Sequence, residues 1–263
     1  MAAEAEAGGK IVEALHELNV QTVISIPKVG PFDFSITNAV IYLWVGAFIV
    51  FILFYVAAKR SKKEPEGLQT LAEILIGMAT GHLCGQIGEK GKKYYYLILT
   101  IFTYIMVTNL IGLIPKPEVL RPYTPTANIN VTFSMAIVVF VLTQYLGIKH
   151  HGRKYVREFM TPPGVPPALA KPLNVLFIPV EIMGAVFKPL SLSVRLFANT
   201  IAGHLIILVM IGLLLEFAGA IILPAGLFVI IMNAFEVFVA FIQAYIFALL
   251  STVYLETAIY GSH

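Results

Sequence analysis

The sequence has few charged residues and a single cysteine. Asp, Glu, Lys and Arg make up 13% of its 263 residues, whereas hydrophobic types make up 58%. A soluble domain carries about 25% charged residues, so a water-soluble globular protein is excluded. Cys84 stands alone, which excludes an intrachain disulfide and predicts a small packing residue. The main solvent of this chain is lipid.

Several functional motifs are also missing. The sequence contains no G-x-x-x-x-G-K-[ST] phosphate loop, no ligand cluster at metal spacing and no recognisable pair of nucleophile and base. We therefore expect no cofactor, no metal and no active site for ATP within this chain. Its basic residues lie in loops between apolar runs rather than along one face, so nucleic-acid binding is not expected either.

Long uncharged runs predict the fold class. Asn38–Ala58, Tyr94–Ile114 and Ile129–Ile148 lack charge, match the ~20 residues of a membrane-spanning helix and show no period-two alternation, which argues against a barrel. Leu68–Gly88 has apolar residues at helical spacing and is predicted to lie on the membrane surface. The sequence thus predicts an all-α polytopic membrane protein with upright transmembrane helices and a membrane-surface helix.

Two later runs, Pro172–Leu215 and Ile221–Tyr260, are about twice the length of an ordinary span. Each run could form two short spans, but neither has a polar loop at its middle. We favour a hairpin of two long helices that are steeply tilted or bent.

The distribution of basic residues predicts the orientation. Lysines and arginines cluster after the first run, before the second and after the third, and the positive-inside rule makes these loops cytoplasmic. Residues 1–37 are then a non-cytoplasmic N-terminal segment, and residues 38–263 form the membrane domain. The C-terminus is predicted to be cytoplasmic.

The first long run contains intramembrane charges at a regular spacing. Glu181, Lys188 and Arg195 are seven residues apart and share one helix face, which Asn199 joins four residues later. Arg195 cannot lose its proton and carries a burial cost of at least ~2.5 kcal/mol, so we expect it to face a partner subunit rather than lipid. Glu181 and Lys188 could instead neutralise each other or reach the cytoplasmic surface.

A second set of polar residues is predicted to form a proton path. His204 follows Arg195 by nine residues and therefore lies on the opposite helix face. In the second long run, Glu236 and Gln243 lie seven residues apart on one face. Because His204 and Glu236 can both take up and release protons, each is a candidate relay member.

Three segments together resemble one family. They are Ser191-Leu-Ser-Val-Arg-Leu-Phe-Ala-Asn-Thr-Ile-Ala-Gly-His204, Phe241-Ile-Gln-Ala-Tyr-Ile-Phe247 and Thr108-Asn-Leu-Ile-Gly-Leu-Ile-Pro115. Together they resemble subunit a of F-type ATP synthases, the family of the F0 sector. Many bacterial members of that family carry an acid where this chain has His204 and a histidine where it has Glu236.

The resemblance implies a stator subunit of the F0 proton channel with two offset aqueous half-channels. It implies a ring of c subunits, the peripheral stalk subunit b, the remaining F0 and F1 subunits and membrane lipid as partners, in a bacterial plasma (inner) membrane. Arg195 would stand at the boundary between the half-channels, with Asn199 and Gln243 orienting its contact with the ring. His204, Glu236 and Asn109 would line the outer half-channel, and Glu181 and Lys188 would lie nearer the inner one. Whether the coupling ion is proton or sodium would depend largely on the ring.

Other classes of protein remain as alternatives. A secondary carrier with a midplane site would be expected to have internal repeats of spans, and we find no convincing repeat. A scaffold could use buried charges to specify helix pairing. An intramembrane enzyme is disfavoured by the missing catalytic motifs.

Overall fold

A computed structural model describes residues 20–27, 35–60, 62–84, 92–113, 124–152, 155, 167–216 and 222–260. The first described element is a two-stranded antiparallel ribbon of β1 (Thr22–Ile24) and β2 (Ile36–Thr37). Six α-helices follow within the described ranges: α1 (Asn38–Lys59), α2 (Leu68–Gly77), α3 (Tyr95–Leu113), α4 (Ile129–His151), α5 (Pro167–Glu216) and α6 (Ile222–Tyr260). A π-helix, Met78–Leu83, continues α2, and single 3-10 turns, Lys92–Tyr94 and Pro125–Ala127, precede α3 and α4.

The predicted fold class is confirmed. Within the described ranges, five helices are long and apolar enough to cross a membrane. The helices α5 and α6 contain 50 and 39 residues, and each runs as one continuous helix rather than as two short spans. At 1.5 Å per residue they measure about 75 and 58 Å. The two helices pack against each other as the predicted hairpin.

Helix α6 lies at the centre of the bundle, where it packs against α3, α4 and α5. The core between these helices is built from Phe102 and Ile105 of α3, Leu196 of α5 and Phe247 of α6, all at most 2% exposed. The outer surface is apolar as well, with Trp44 and Phe48 of α1 more than 60% exposed. Lipid is as apolar as these side chains, so close packing rather than burial from water holds the helices together.

Helix α1 joins the bundle through a close approach to α3. A Cβ at Gly46 would lie 3.0 Å from Thr108 Cγ2, so the missing side chain lets the two backbones approach. The Tyr104 hydroxyl of α3 donates a hydrogen bond to the Leu43 carbonyl at 3.3 Å. The ribbon is fixed to the start of α1, because the Asn38 side chain accepts from Gln21 N at 3.0 Å and Asn38 N donates to Gln21 O at 3.0 Å.

Helix α2 packs on α1. It buries Ala72 and Leu75 and leaves Leu68, Leu71 and Ile74 exposed. Its apolar residues on two faces suit a helix beside lipid. The Gln69 side chain ties α2 to the preceding connector, since it accepts from Lys62 N at 2.9 Å and donates to Lys62 O at 2.9 Å.

One packing expectation for this segment finds no partner among the described residues. The repeat of Gly77, Gly81 and Gly85 predicts a close approach by another helix. A Cβ at Gly77 or Gly81 would meet no described atom within 4 Å, and the chain forms the π-helix here instead. Gly85 lies outside the described residues. The prediction for Cys84 is confirmed, since this residue is 3% exposed and burial raises the pKa of its thiol to about 11.

Candidate functional site

A small polar cavity lies between α3, α5 and α6. We call it the Glu236 cavity; its lining residues are Asn109, Leu113, Asn199, Thr200, His204, Glu236, Val239, Ala240 and Gln243. It measures about 30 Å³, which is enough for at least one water molecule. The structure therefore brings five of the eight predicted site residues to one place. The lining comes from the C-terminal halves of α3 and α5 and from residues 236–243 in the middle of α6.

Glu236 is 9% exposed and presses directly on α5. A Cβ built on Gly203 would lie 2.9 Å from Glu236 Cδ, closer than real Cβ atoms approach other groups. Glycine at position 203 is what makes room for this carboxylate. Glu236 Oε2 is buried and has no hydrogen-bond partner among the described residues. An acceptor left unpaired in a cavity of this size can bind a water.

Asn109 and Gln243 contribute amides to the same cavity, and both are less than 10% exposed. Asn109 Nδ2 donates to the Ala240 carbonyl of α6 at 3.4 Å, whereas its Oδ1 accepts no hydrogen bond from the part of the chain described. Asn109 thus holds α3 to α6 with one atom and leaves the other available. The Thr200 hydroxyl lies 3.4 Å from that of Thr126 in the turn before α4, which closes one side of the cavity.

Arg195 lies outside this cavity, on an exposed face of α5. Ser191, Ala198 and Asn199 are exposed beside it, while Leu196, at 1% exposed, packs into the bundle on the other side. No carboxylate among the described side chains forms an ion pair with Arg195. The guanidinium therefore stands on a surface of small side chains, open to a group from outside the chain.

A second polar cavity lies between α4, α5 and α6. We call it the Lys188 cavity; it measures about 40 Å³ and is lined by Phe140, Thr143, Gln144, Tyr155, Lys188, Tyr254, Thr257 and Ala258. Tyr155 donates to Gln144 Oε1 at 3.1 Å. Of the predicted residues, only Lys188 is among its lining residues, and the side chain of Glu181 lies outside those described.

Sequence reasoning missed Tyr254. A signal for it was present, because Tyr254 follows Glu236 by 18 residues, which is five helical turns, and therefore lies on the same face of α6 as Glu236. Tyrosine is common in apolar spans, so its place on this track was not distinctive.

Comparison with known proteins identifies the family. The family model described as ATP synthase A chain matches residues 40–256. The chain belongs to the ATP synthase subunit a family. It is 38% identical to subunit a of Rubrobacter xylanophilus, over 89% of this chain and 88% of that protein. It is 37% identical to the Magnetococcus marinus subunit a (99% and 97% covered) and 35% identical to that of Ehrlichia ruminantium (93% and 97%).

Membership of the ATP synthase subunit a family confirms the resemblance found in the sequence. It makes the chain a multi-pass membrane subunit of an ATP synthase, from the family of the proton-translocating F0 subunit. The matched range covers all five membrane-crossing helices almost completely.

Proposed function

We propose that this chain is the stator subunit that couples proton flow across the membrane to rotation of a ring of c subunits. The observation that carries the proposal is the placement of two polar cavities on either side of Arg195 along α5, both between α5 and α6. Lys188 precedes Arg195 by seven residues and Asn199 follows it by four, which places them about 10 and 6 Å away along the helix axis.

In this proposal the Glu236 cavity belongs to the outer half-channel. His204 and Glu236 can exchange protons, and the unpaired oxygens of Asn109 and Glu236 can hold water between them. Asn199 and Gln243 line the same cavity, and Asn199 is also exposed beside Arg195. These two amides would extend the proton path to the surface that faces the ring, and they would orient the contact between Arg195 and the ring there.

The Lys188 cavity belongs to the inner half-channel, with Glu181 on the same helix face by its spacing. Neither cavity includes lining residues of the other. A proton would therefore need a carrier to pass from one to the other, and a rotor carboxylate would be that carrier.

Arg195 would act in the gap between the half-channels. Its guanidinium stays protonated at physiological pH and attracts each rotor carboxylate as the carboxylate loses its proton. The same fixed positive charge repels a proton that would cross directly. Rotation of the ring would then be required for transport.

The contacts of the described helices also support an orientation. His151 Nε2 lies 2.8 Å from the Ile259 carbonyl, so the ends of α4 and α6 lie together. The basic residues after α4 favour the cytoplasmic side, which gives a cytoplasmic C-terminus and a non-cytoplasmic segment 1–37 in a bacterial inner membrane. The exposed apolar faces of the helices would be covered by lipid, the c-ring, subunit b and the remaining F0 subunits, with F1 beyond them.

The test compares inverted membrane vesicles that hold the complete ATP synthase with either the wild-type subunit or Arg195→Ala. We expect ATP-driven proton pumping to fall by at least about tenfold, because Lys188, the other cation of this helix face, lies about 10 Å away along the axis and cannot take the place of the guanidinium. Passive proton leakage should rise. Arg60→Ala removes the same charge from the exposed end of α1 and should leave pumping unchanged.

The outcomes separate the alternatives. A scaffold predicts that Arg195→Ala reduces the amount of assembled complex, whereas the stator role predicts normal assembly with lost coupling. Undiminished ATP-coupled pumping by the Arg195→Ala complex would refute the proposed role.

A further inference from the structure

Lys188 has an aromatic partner in the Lys188 cavity. Its Nζ lies 5.6 Å from the centre of the Tyr254 ring. Both side chains line that cavity, and they come from the two long helices of the hairpin. A cation at this distance from a ring face is attracted by the ring quadrupole, and the attraction strengthens where water is scarce.

This contact has no described competitor. Where side chains are described, no carboxylate lies within ion-pair distance of Lys188. An unpaired ammonium within a membrane span would otherwise extend along its flexible stem towards the interface. The Tyr254 ring gives it a fixed place beside the cavity instead.

Tyr254 is also close to the second cation of the same face. The Arg195 guanidinium is near enough to interact electrostatically with the Tyr254 side chain. Tyr254 is therefore close to both Lys188 and Arg195, which belong to α5 across the hairpin. A single aromatic residue of α6 contacts the lining of the cavity and also lies near the arginine.

We propose that Tyr254 is a positioning residue: its ring holds the Lys188 ammonium at the Lys188 cavity, so that a fixed positive charge stands where protons leave the rotor. A fixed cation favours the deprotonated form of a carboxylate beside it, so proton release into this cavity becomes easier. The inference rests on the proposed function, because it takes this cavity as the inner half-channel.

The experiment measures ATP-driven pumping and ATP synthesis by the complete complex in membrane vesicles. Tyr254→Phe keeps the ring and should retain most of the activity. Tyr254→Leu removes the ring and should lower both rates about fivefold, a factor within the range of a partly desolvated cation–π contact. Lys188→Gln should cause a similar loss, and Tyr254→Leu should add nothing further to it.

A matched control is available on the same helix. Tyr245 packs against the hydrophobic core of the bundle. It lies nine residues, or two and a half helical turns, before Tyr254, and therefore on the opposite face of α6. Tyr245→Leu removes the same groups as Tyr254→Leu. Any loss of pumping or synthesis rate that Tyr245→Leu causes should be as large in the Lys188→Gln background as in the wild type. The quantity of subunit a in the vesicles and the bound F1 activity are measured for every variant, and rates are compared per assembled complex.

Three results would overturn the proposal: Tyr254→Phe as damaging as Tyr254→Leu, an undiminished effect of Tyr254→Leu in the Lys188→Gln background, or normal rates with Lys188→Gln alone. Each of these leaves the role of Arg195 untouched, because that role fails only if Arg195→Ala complexes still pump. The two failures are thus distinguishable in the same vesicles.

Discussion

The carboxylate of Glu236 on α6 lies against the backbone of Gly203 on α5, at a point where any side chain at position 203 would overlap it. The two long helices therefore meet through a titratable group on one and an absent side chain on the other. His204, the neighbour of Gly203, lines the same cavity. The fit between the helices and the chemistry of the cavity depend on the same few atoms.

Substituting Gly203 should therefore disturb both the packing of α5 against α6 and the chemistry of the Glu236 cavity. Gly203→Ala forces the Glu236 side chain or the helices to move, at a cost of about 1–3 kcal/mol for an overfilled site. We expect slower ATP-driven pumping per assembled complex. Gly184→Ala is the matched control on α5, because a Cβ there meets no described atom within 4 Å. Equal effects of the two substitutions would contradict the close contact.

Glu236→Gln keeps the size of the side chain and removes its titration. We expect pumping to fall about tenfold, less than the loss typical of a unique proton-transfer group, because His204 remains in the cavity. Asn233 provides a control, since its exposed amide donates to Val229 O of its own helix at 2.9 Å and is absent from the cavity lining. Asn233→Ala should pump normally. A fully active Glu236→Gln complex would remove Glu236 from the path.

The orientation can be tested with single cysteines in a chain that carries Cys84→Ser. A cysteine at the exposed position Val23 of β1 should react with an impermeant maleimide from the non-cytoplasmic side. One at the exposed position Lys149, near the end of α4, should react only from the cytoplasmic side. Labelling of both from the same side would contradict the proposed topology, because α1, α3 and α4 together cross the membrane an odd number of times.

A further prediction concerns how the hydrophobic core contributes to the stability of the protein in the membrane. Phe247 is 2% exposed at the centre of the bundle, and Phe247→Ala leaves a cavity there. In lipid the side chain is not transferred from water on folding, so most of the hydrophobic contribution is missing. We therefore expect Phe247→Ala to lower the free energy of unfolding by about 2 kcal/mol, less than the 3–5 kcal/mol common in soluble cores. The measurement is the thermal stability of the purified complex. Phe48→Ala, on the exposed face of α1, should change it little.

Most of the helical fold could be predicted from the sequence, because a span needs a long uncharged run and each run is visible by itself. The bounds of α1 differ by one residue from the uncharged run that predicts it. The ribbon of β1 and β2 was not predicted, since two or three residues carry no readable alternation. Small residues such as Gly77 and Gly81 permit a close approach without supplying the partner, and a Cβ at either position would meet no described atom within 4 Å.

The candidate site was predictable where the residues are unusual for a membrane. Arg195, Glu236 and His204 are conspicuous because charge and titration are rare in spans. Tyr254 and Gly203 were not conspicuous, since their roles arise from contacts between helices, and spacing along one helix carries no information about the facing helix. The opposite faces of Arg195 and His204 followed from helical geometry alone, in agreement with the absence of Arg195 from the Glu236 cavity.

The Gln69 side-chain amide accepts from Lys62 N and donates to Lys62 O. It thus makes the pair of hydrogen bonds that a backbone amide of a neighbouring strand would make in a sheet. Its oxygen and its nitrogen match the donor and the acceptor of Lys62, so both backbone groups of that residue are paired without water. A glutamate at position 69 would present two acceptors. One of its oxygens would then repel the Lys62 carbonyl, to which the Gln69 amide nitrogen now donates. One amide nitrogen therefore helps to hold the exposed, charged turn between α1 and α2 against the start of α2.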